Sequence, residues 1–301
     1  MRLGVDLGGT KISAAVLDPA GSVVARRRIP TPLGDYAAVV DGVAGLVRTV
    51  EAELATPVSV GVGVPGSIDP VGAEIRNANT VALNGRPLGE GLSAALDREV
   101  RVANDADCFA LSEAADGAGA RDRVVFGAIL GTGAGGGIVV DGRLLGGPNA
   151  ITGEWGHIPL PWPRPEELPG PACYCGRFGC LEMFVSGPGL ERDHAERTGS
   201  RLSPADLAAL AAAGDDEATL TMLRHADRLA RSLAVVINVL DPDVVVLGGG
   251  LSNLSHVYTL VPDLWDRYVF ADAVRTGLRP ARHGDDSGVR GAAWLWGSVT
   301  P

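Results

Sequence analysis

Apolar and polar positions along this chain alternate between short strand-like runs and longer stretches with helical spacing. The first thirty residues contain three strand-like runs separated by turns, at 3–5, 12–17 and 23–29. A helix is predicted from Asp35 to Leu54, with a buried face formed by Val39, Val43, Leu46, Val47 and Val50. Strands then follow at 58–64 and 100–103, and a second helix runs from Ala106 to about Gly117.

The segment from Val124 to Leu145 repeats the pattern that opens the chain. A strand at 124–130 leads into GTGAGGG at 131–137, and short strands at 138–140 and 143–145 flank a tight turn. Backbone N–H groups at such glycine-rich turns approach phosphates closely. DLGGT at 6–10 also fits an ordinary hairpin turn, but two copies indicate a duplicated domain whose two turns face one nucleotide.

The second half of the chain is mainly helical. Helices are predicted at 187–198, 204–213 and 215–240, and the longest should bury Leu220, Leu223, Leu229, Leu233, Val236 and Ile237. A buried strand at 244–247 ends in three glycines, which allow a flat ring or a ribose to lie against the backbone. Two more helices are predicted at 255–270 and 289–296.

Composition narrows the class of protein. The 301 residues carry a net charge of −10, which argues against nucleic acid as the main partner. The chain shows neither a signal peptide nor an apolar run of the ~20 residues that span a membrane. We therefore expect a cytoplasmic protein with no membrane partner and with reduced thiols.

A loop at 153–182, GEWGHIPLPWPRPEELPGPACYCGRFGCLE, contains three of the four cysteines. Its soft and borderline ligands match a tetrahedral zinc site with no position left for water, which favours structural zinc. The ligands would be His157, Cys173, Cys175 and Cys180. Because the loop is rich in Gly and Pro, we expect little regular hydrogen bonding without the metal. The alternative is a free-cysteine loop with a surface histidine; a disulfide is disfavoured by the closeness of Cys173 to Cys175.

Polar residues elsewhere suggest a ligand site. GVGVPG at 61–66 matches G-x-G-x-x-G, but no helix follows, so a dinucleotide site is rejected in favour of close backbone approach to a ligand. The loop RNANT at 76–80 has amides that suit sugar hydroxyls, although asparagine serves turns equally well. Asp105 follows a strand at the start of a helix, where it is either a cap or a general base.

Together these motifs resemble the ROK kinases, bacterial sugar kinases. The resemblance covers essentially the whole chain and rests on DLGGTK, GVGVPGSID, NDAD, GTGAGGG, GEWGH, CYCGRFGCLE and LGGG. It implies an α/β, duplicated actin/hexokinase-like (ribonuclease H-like) fold of two lobes with a cleft between them. The lobes would be 1–108, completed by a C-terminal helix at about 288–301, and 109–287, which includes the zinc-binding loop.

The resemblance also implies roles for individual residues. Asp105 would be the catalytic base, and the sugar would bind Gly66, Asn79, Asn104, Asp105, Glu154, His157 and Glu182. The ATP phosphates would bind Gly8, Gly9, Thr10, Lys11, Gly131, Thr132 and Gly133. Asp6 would help place Mg²⁺, and Gly249 and Gly250 would flank the adenosine.

Within the family, the zinc-loop motifs look most similar to the fructokinase/mannokinase branch. The expected reaction is ATP-dependent phosphorylation of D-fructose to fructose 6-phosphate. The alternatives are a glucokinase or an N-acetylmannosamine or N-acetylglucosamine kinase of the same family. More distant alternatives are a non-catalytic sugar sensor and a ROK regulator, whose DNA-binding segment would precede DLGGT. The family resemblance also implies a homodimer.

Overall fold

The computed structural model describes residues 1–32, 34–78 and 80–297. The strands there are β1 (Arg2–Leu7), β2 (Lys11–Leu17), β3 (Val23–Pro30), β4 (Ser59–Val64), β5 (Ser67–Ile68), β6 (Ile75–Arg76), β7 (Val100–Asn104), β8 (Val124–Leu130), β9 (Ala134–Val140), β10 (Arg143–Leu144), β11 (Val244–Gly248) and β12 (Gly277–Pro280). The helices are α1 (Tyr36–Leu54), α2 (Leu88–Leu96), α3 (Asp105–Ala115), α4 (Glu182–Val185), α5 (Gly187–Thr198), α6 (Pro204–Ala212), α7 (Asp216–Leu240), α8 (His256–Trp265) and α9 (Ser287–Trp294).

The chain divides into two compact units. Unit 1 contains Met1–Arg121, Gly137–Thr152 and the residues from Arg282 onward, and unit 2 contains Asp122–Gly136 and Gly153–Ala281. These bounds differ from the predicted lobes, which divide at 108/109 and at about 288. The reason is that α3 packs so closely on α9 that a Cβ at Gly291 would lie 1.6 Å from the Cys108 carbonyl oxygen. Helix α3 therefore belongs to unit 1.

A five-stranded mixed sheet with the order β3-β2-β1-β4-β7 forms the centre of unit 1. Strands β1, β2 and β3 are antiparallel, whereas β4 and β7 run parallel to β1. Helix α1 buries all five valine and leucine residues predicted for its inner face. On the sheet, a Cβ at Gly4 or at Gly61 would lie 1.8 Å from a carbonyl oxygen of α9. Only glycine allows the helix to approach β1 and β4 so closely.

The second sheet repeats this order. Its strands are arranged β10-β9-β8-β11-β12, and β11 runs parallel to both β8 and β12. In each sheet the first three strands follow one another in sequence and later parallel strands extend the first of them. The predicted duplication of the strand–turn–strand unit is therefore confirmed. The sequence did not predict the short strand β12 or helix α2.

The glycine-rich turn in the second copy is shorter than predicted. Strand β9 begins at Ala134 instead of Ile138, so the turn consists of Gly131, Thr132 and Gly133. The later glycines serve packing, because a Cβ at Gly136 would lie 2.9 Å from the Phe126 ring and 3.0 Å from Trp155. Helix α8 also ends earlier than predicted, at Trp265 instead of Phe270.

The longest helix buries only part of the face predicted. Leu220 and Leu223 of α7 are 48% and 45% exposed, while Arg228 and Arg231 are 6% and 1% exposed. The prediction was wrong here because oppositely charged groups from other segments accompany these arginines into the interior. Leu229, Leu233 and Ile237 are buried as predicted. Among the described residues, no helix is long and apolar enough to cross a lipid bilayer.

Candidate active site

Asp105 lies at the start of α3, directly after β7. The Asn104 side chain caps this helix, accepting hydrogen bonds from Ala106 N at 2.8 Å and Asp107 N at 3.3 Å. The Asp105 side chain is exposed, but the protein that surrounds its carboxylate raises its pKa to about 6. The Ala106 N–H and the Asn104 side chain oppose this shift, while the negative charge of Asp6 adds to it. A carboxylate with such a pKa can take a proton from a hydroxyl near neutral pH.

The turn after β1 is held by a residue that the sequence did not single out. Gly8 N donates to Lys11 O at 3.0 Å, and buried Thr31 donates its hydroxyl to Gly8 O at 2.6 Å. Gly9, Thr10 and Lys11 remain exposed. Burial raises the pKa of Asp6 at the end of β1, against the charge of Lys11. The turn thus presents backbone N–H groups and a cation beside a carboxylate.

Gly66 is linked directly to Asn104, since Asn104 Nδ2 donates to Gly66 O at 2.8 Å. The φ of Gly66 is +84°, and a Cβ there would lie 2.3 Å from Arg76 O. No other residue type fits this position without displacing the Arg76–Ala78 backbone. Asn84 supports the same loop through two hydrogen bonds to the Ala78 backbone. Asn79 lies outside the described residues.

In unit 2, Glu182 lies against the turn that follows β8. Its Oε2 accepts a hydrogen bond from Ala134 N at 2.9 Å, and a Cβ at Gly133 would lie 2.5 Å from that oxygen. Gly249, with φ +78°, lies beside the end of the same strand, where a Cβ would be 2.4 Å from Leu130 O. Gly250 begins the next turn and is exposed. Unit 2 thus brings together the predicted sugar-binding Glu182 and two of the predicted nucleotide-binding segments, Gly131–Gly133 and Gly249–Gly250.

The four predicted metal ligands also come together. The ligand atoms of His157, Cys173, Cys175 and Cys180 all lie within 4.8 Å of one another. The Sγ atoms of Cys175 and Cys180 are 3.5 Å apart, and Cys173 Sγ is 3.6 Å from His157 Nδ1. Tetrahedral zinc with Zn–S bonds of about 2.3 Å requires sulfur–sulfur distances of about 3.8 Å. The cluster therefore fits zinc, with Nδ1 as the histidine ligand.

The loop around this cluster has more backbone hydrogen bonds than predicted. Cys173 N donates to Arg177 O at 2.8 Å, and Leu160 N donates to Gly179 O at 2.9 Å. Burial and the neighbouring thiols raise the pKa of Cys180 to about 12, and burial also raises the pKa of Cys173. Without a metal these thiols keep their protons at neutral pH, so zinc binding would release them.

The outer edge of His157 faces two polar side chains. Nε2 lies 2.9 Å from the Tyr174 hydroxyl and 4.0 Å from Glu154 Oε2. Burial of its hydroxyl raises the pKa of Tyr174 to about 12, and the carboxylates of Glu182 and Glu154 add to the shift. Tyr174 was not predicted, because a residue between two cysteines carries no signal of its own.

A second group missed by the sequence lies beneath the zinc loop. Glu167 accepts hydrogen bonds from Arg228 and Arg231 at 2.8–2.9 Å, and Arg228 also pairs with Asp193 at 2.8 Å. Burial alone would raise the pKa of Glu167, but Arg231, the Arg164 N–H and Arg228 hold it at about 2. These buried ion pairs attach the loop to α7 and α5.

Comparison with known proteins identifies the family. The ROK family model matches residues 2–299. The chain belongs to the ROK family. Its fold is the α/β actin/hexokinase-like fold of the solved ROK sugar kinases. A ROK hexokinase from Thermus thermophilus superimposes with a TM-score of 0.86 at 34% identity, covering 97% of this chain and 96% of that one.

Two further relatives are sugar kinases whose names state the sugar. An N-acetyl-D-glucosamine kinase of Salmonella gallinarum is 40% identical over 299 residues, covering 98% of this chain and 99% of that protein. A ROK glucokinase from Streptomyces griseus, solved with glucose and AMPPNP, superimposes with a TM-score of 0.76 at 28% identity and 98% coverage of both chains. These relatives support the predicted alternatives, a glucokinase or an N-acetylhexosamine kinase, better than the predicted fructokinase, and the N-acetyl-D-glucosamine kinase has the higher identity.

Proposed function

We propose that this ROK protein is an ATP-dependent kinase that phosphorylates the 6-hydroxyl of N-acetyl-D-glucosamine. The observation that carries the proposal is Asp105, a carboxylate with a pKa of about 6 at the end of β7, beside the cap formed by Asn104. The choice of sugar is supported by the N-acetyl-D-glucosamine kinases that align over almost the whole chain at 39–40% identity.

In unit 1, Asp105 accepts the proton of the sugar 6-hydroxyl as that oxygen attacks the γ-phosphorus of ATP. Asn104, fixed by its bonds to Gly66 and α3, binds a neighbouring sugar hydroxyl, and Gly66 borders the same sugar. The family resemblance assigns sugar binding to Asn79 as well. The N–H groups of Gly9 and Thr10, in the turn that the Gly8–Lys11 hydrogen bond closes, stabilise the phosphate charge together with the Lys11 cation.

Asp6 would hold Mg²⁺, directly or through water. When bound, Mg²⁺ would neutralise charge on the transferring phosphate groups.

In unit 2, Gly131, Thr132 and Gly133 bind the phosphates, while Gly249 and Gly250 lie against the adenosine. Glu154, His157 and Glu182 bind sugar hydroxyls. His157, Cys173, Cys175 and Cys180 would hold a structural zinc, which would fix the loop that carries these side chains. Metal analysis of the purified protein tests this site: about one zinc per chain is expected, and metal-free active protein contradicts it.

An assay of ADP release with Mg-ATP tests the proposed reaction. N-acetyl-D-glucosamine should give the highest kcat/KM among five sugars that include glucose, fructose, mannose and N-acetylmannosamine. A higher value for another hexose would overturn the sugar, and no turnover with any sugar would favour a non-catalytic sensor. Light scattering of the same sample tests the homodimer that we propose from family resemblance.

Substitution of Asp105 tests the base. Asp105→Asn should lower kcat by at least ~10²-fold, since positioned general bases contribute about 10²–10⁴-fold. The sugar Kd should stay nearly unchanged, because the amide keeps the size of the carboxylate, its oxygen can still accept from Ala106 N, and its NH₂ can donate to the sugar hydroxyl oxygen. Asp97→Asn, at the end of α2, is the matched control. Turnover of Asp105→Asn at the wild-type rate would contradict the assignment.

A further inference from the structure

The hydroxyl of Tyr174 lies among the three side chains of unit 2 that we propose to bind sugar. It is 2.9 Å from His157 Nε2, and the two rings meet edge to face at 5.0 Å and 85°. Glu154 reaches to 4.0 Å from the same nitrogen, and the charges of Glu154 and Glu182 both act on the phenol. Tyr174 is nevertheless 77% exposed, so its ring is open to a ligand.

The hydrogen-bonding capacity of His157 determines whether the Tyr174 hydroxyl accepts or donates in the bond between them. Nδ1 faces the Cys173 thiol, so a metal-binding imidazole carries its proton on Nε2 and has one N–H to donate. Tyr174 accepts that N–H. Within the described part of the chain His157 is the single hydrogen-bond partner of the phenol, which therefore still has its own proton to donate.

We propose that Tyr174 is a further substrate-binding residue, whose hydroxyl accepts a hydrogen bond from His157 and donates one to a sugar hydroxyl. In place of the direct sugar contact proposed above for His157, the imidazole acts on the sugar through Tyr174 and holds the phenol in place. The carboxylates of Glu154 and Glu182 accept hydrogen bonds from other hydroxyls of the same sugar. This inference rests on the proposed sugar kinase function.

Tyr174→Phe tests the inference, since it deletes the hydroxyl and keeps the ring against His157. The KM for N-acetyl-D-glucosamine should rise about 3- to 10-fold, as expected for the loss of one neutral hydrogen bond. The kcat, the KM for ATP and the zinc content should stay at wild-type values, because the hydroxyl contacts neither the phosphates nor the metal. Phe178→Leu is the matched control: it alters another exposed aromatic of the same loop, 64% exposed, and should leave all four quantities unchanged.

Two outcomes would overturn the inference. An unchanged sugar KM in Tyr174→Phe would mean that the hydroxyl makes no bond to the sugar, and a lower KM would mean that it occupies the place of the sugar and leaves when the sugar binds. A higher KM accompanied by zinc loss would mean that Tyr174 acts only on the metal site. The proposed function is tested separately by the wild-type enzyme: if it phosphorylates no sugar, that function fails and this inference with it.

Discussion

Desolvation, hydrogen bonds and a neighbouring charge together set the pKa of the Asp105 carboxylate. Partial desolvation of the carboxylate by the surrounding protein raises its pKa, hydrogen bonds from the Ala106 N–H and Asn104 lower it, and the charge of Asp6 raises it again. The result, a pKa of about 6, leaves the group ionised at neutral pH yet basic enough to accept a hydroxyl proton as the phosphoryl group transfers. A helix N-terminus alone would have made a weaker base.

The pH dependence of the proposed reaction follows from this pKa. Asp105 must be deprotonated to act as the base, so kcat/KM should be level above about pH 7 and fall below about pH 6, approaching tenfold per pH unit. Initial rates between pH 4.5 and 8.5 would measure this limb, with circular dichroism checking that the fold persists. A limb centred near pH 4, the value of an ordinary aspartate, would contradict the raised pKa.

Among the elements, the zinc loop is attached to α7 and α5 by charge as well as by backbone hydrogen bonds. Glu167, at the end of a 3-10 turn, is 7% exposed and forms ion pairs with both Arg228 and Arg231. Arg228 lies in addition over the Phe184 ring, at 5.2 Å. Removing Glu167 would leave Asp193 as the acidic partner of Arg228 and Asp227 as that of Arg231, and both arginines would remain buried with less compensating charge.

Glu167→Gln should therefore destabilise the protein, by less than the about 3–5 kcal/mol of a fully broken buried pair, because Asp193 and Asp227 still pair with the two arginines. The folded-state pKa of Glu167, about 2, is below the ordinary glutamate value of 4.5, so its stabilising contribution is complete above about pH 4.5 and is lost as pH falls towards 2. The difference in Tm between wild type and variant should be constant from pH 5 to 8 and narrow below that range. Glu166→Gln, its exposed neighbour, is the control and should leave Tm unchanged; an equal effect of both would contradict the ion-pair explanation.

This cluster also marks the limit of prediction from sequence. Periodicity predicted the buried face of α1, because apolar side chains there need only the sheet beside them. On α7 it failed at Leu220 and Leu223, since the charges that allow Arg228 and Arg231 to be buried come from Glu167, about sixty positions earlier in the chain. Hydrophobic spacing contains no information about such partners.

The candidate site likewise contains residues that the sequence predicts and residues that it does not. Glycine-rich turns and the Cys/His spacing were recognisable, because phosphate and zinc each require residue types at close spacing. Thr31 and Tyr174 were not recognisable. The hydroxyl of Thr31 binds Gly8, which is distant in sequence, and Tyr174 lies inside the cysteine motif, which gives no sign that its hydroxyl contacts His157.

In the molecule as a whole, the side chain of Glu113 in unit 1 accepts backbone hydrogen bonds close to two of the points where the chain passes from one unit to the other. Glu113 of α3 is fully buried, and its Oε2 accepts hydrogen bonds from Ala118 N and Arg282 N, both at 2.9 Å. Its Oε1 accepts from His283 N at 3.2 Å and from the Ser287 hydroxyl at 2.9 Å. The chain enters unit 2 after Arg121 and returns at Arg282, so both crossings are fixed to α3.

Loss of this carboxylate should loosen both crossings together. Glu113→Ala leaves three partly buried N–H groups without this acceptor, at a cost of up to about 1–3 kcal/mol each, and amide hydrogen exchange should rise in peptides covering 116–121 and 281–287. Glu113→Gln should have a smaller effect, because its amide can turn the NH₂ towards Ser287 and leave only His283 N unpaired. Glu99→Ala, an exposed glutamate of unit 1, should change neither peptide. Faster exchange at one crossing alone would show that the two segments are held independently, and Glu113 would then not be their common anchor.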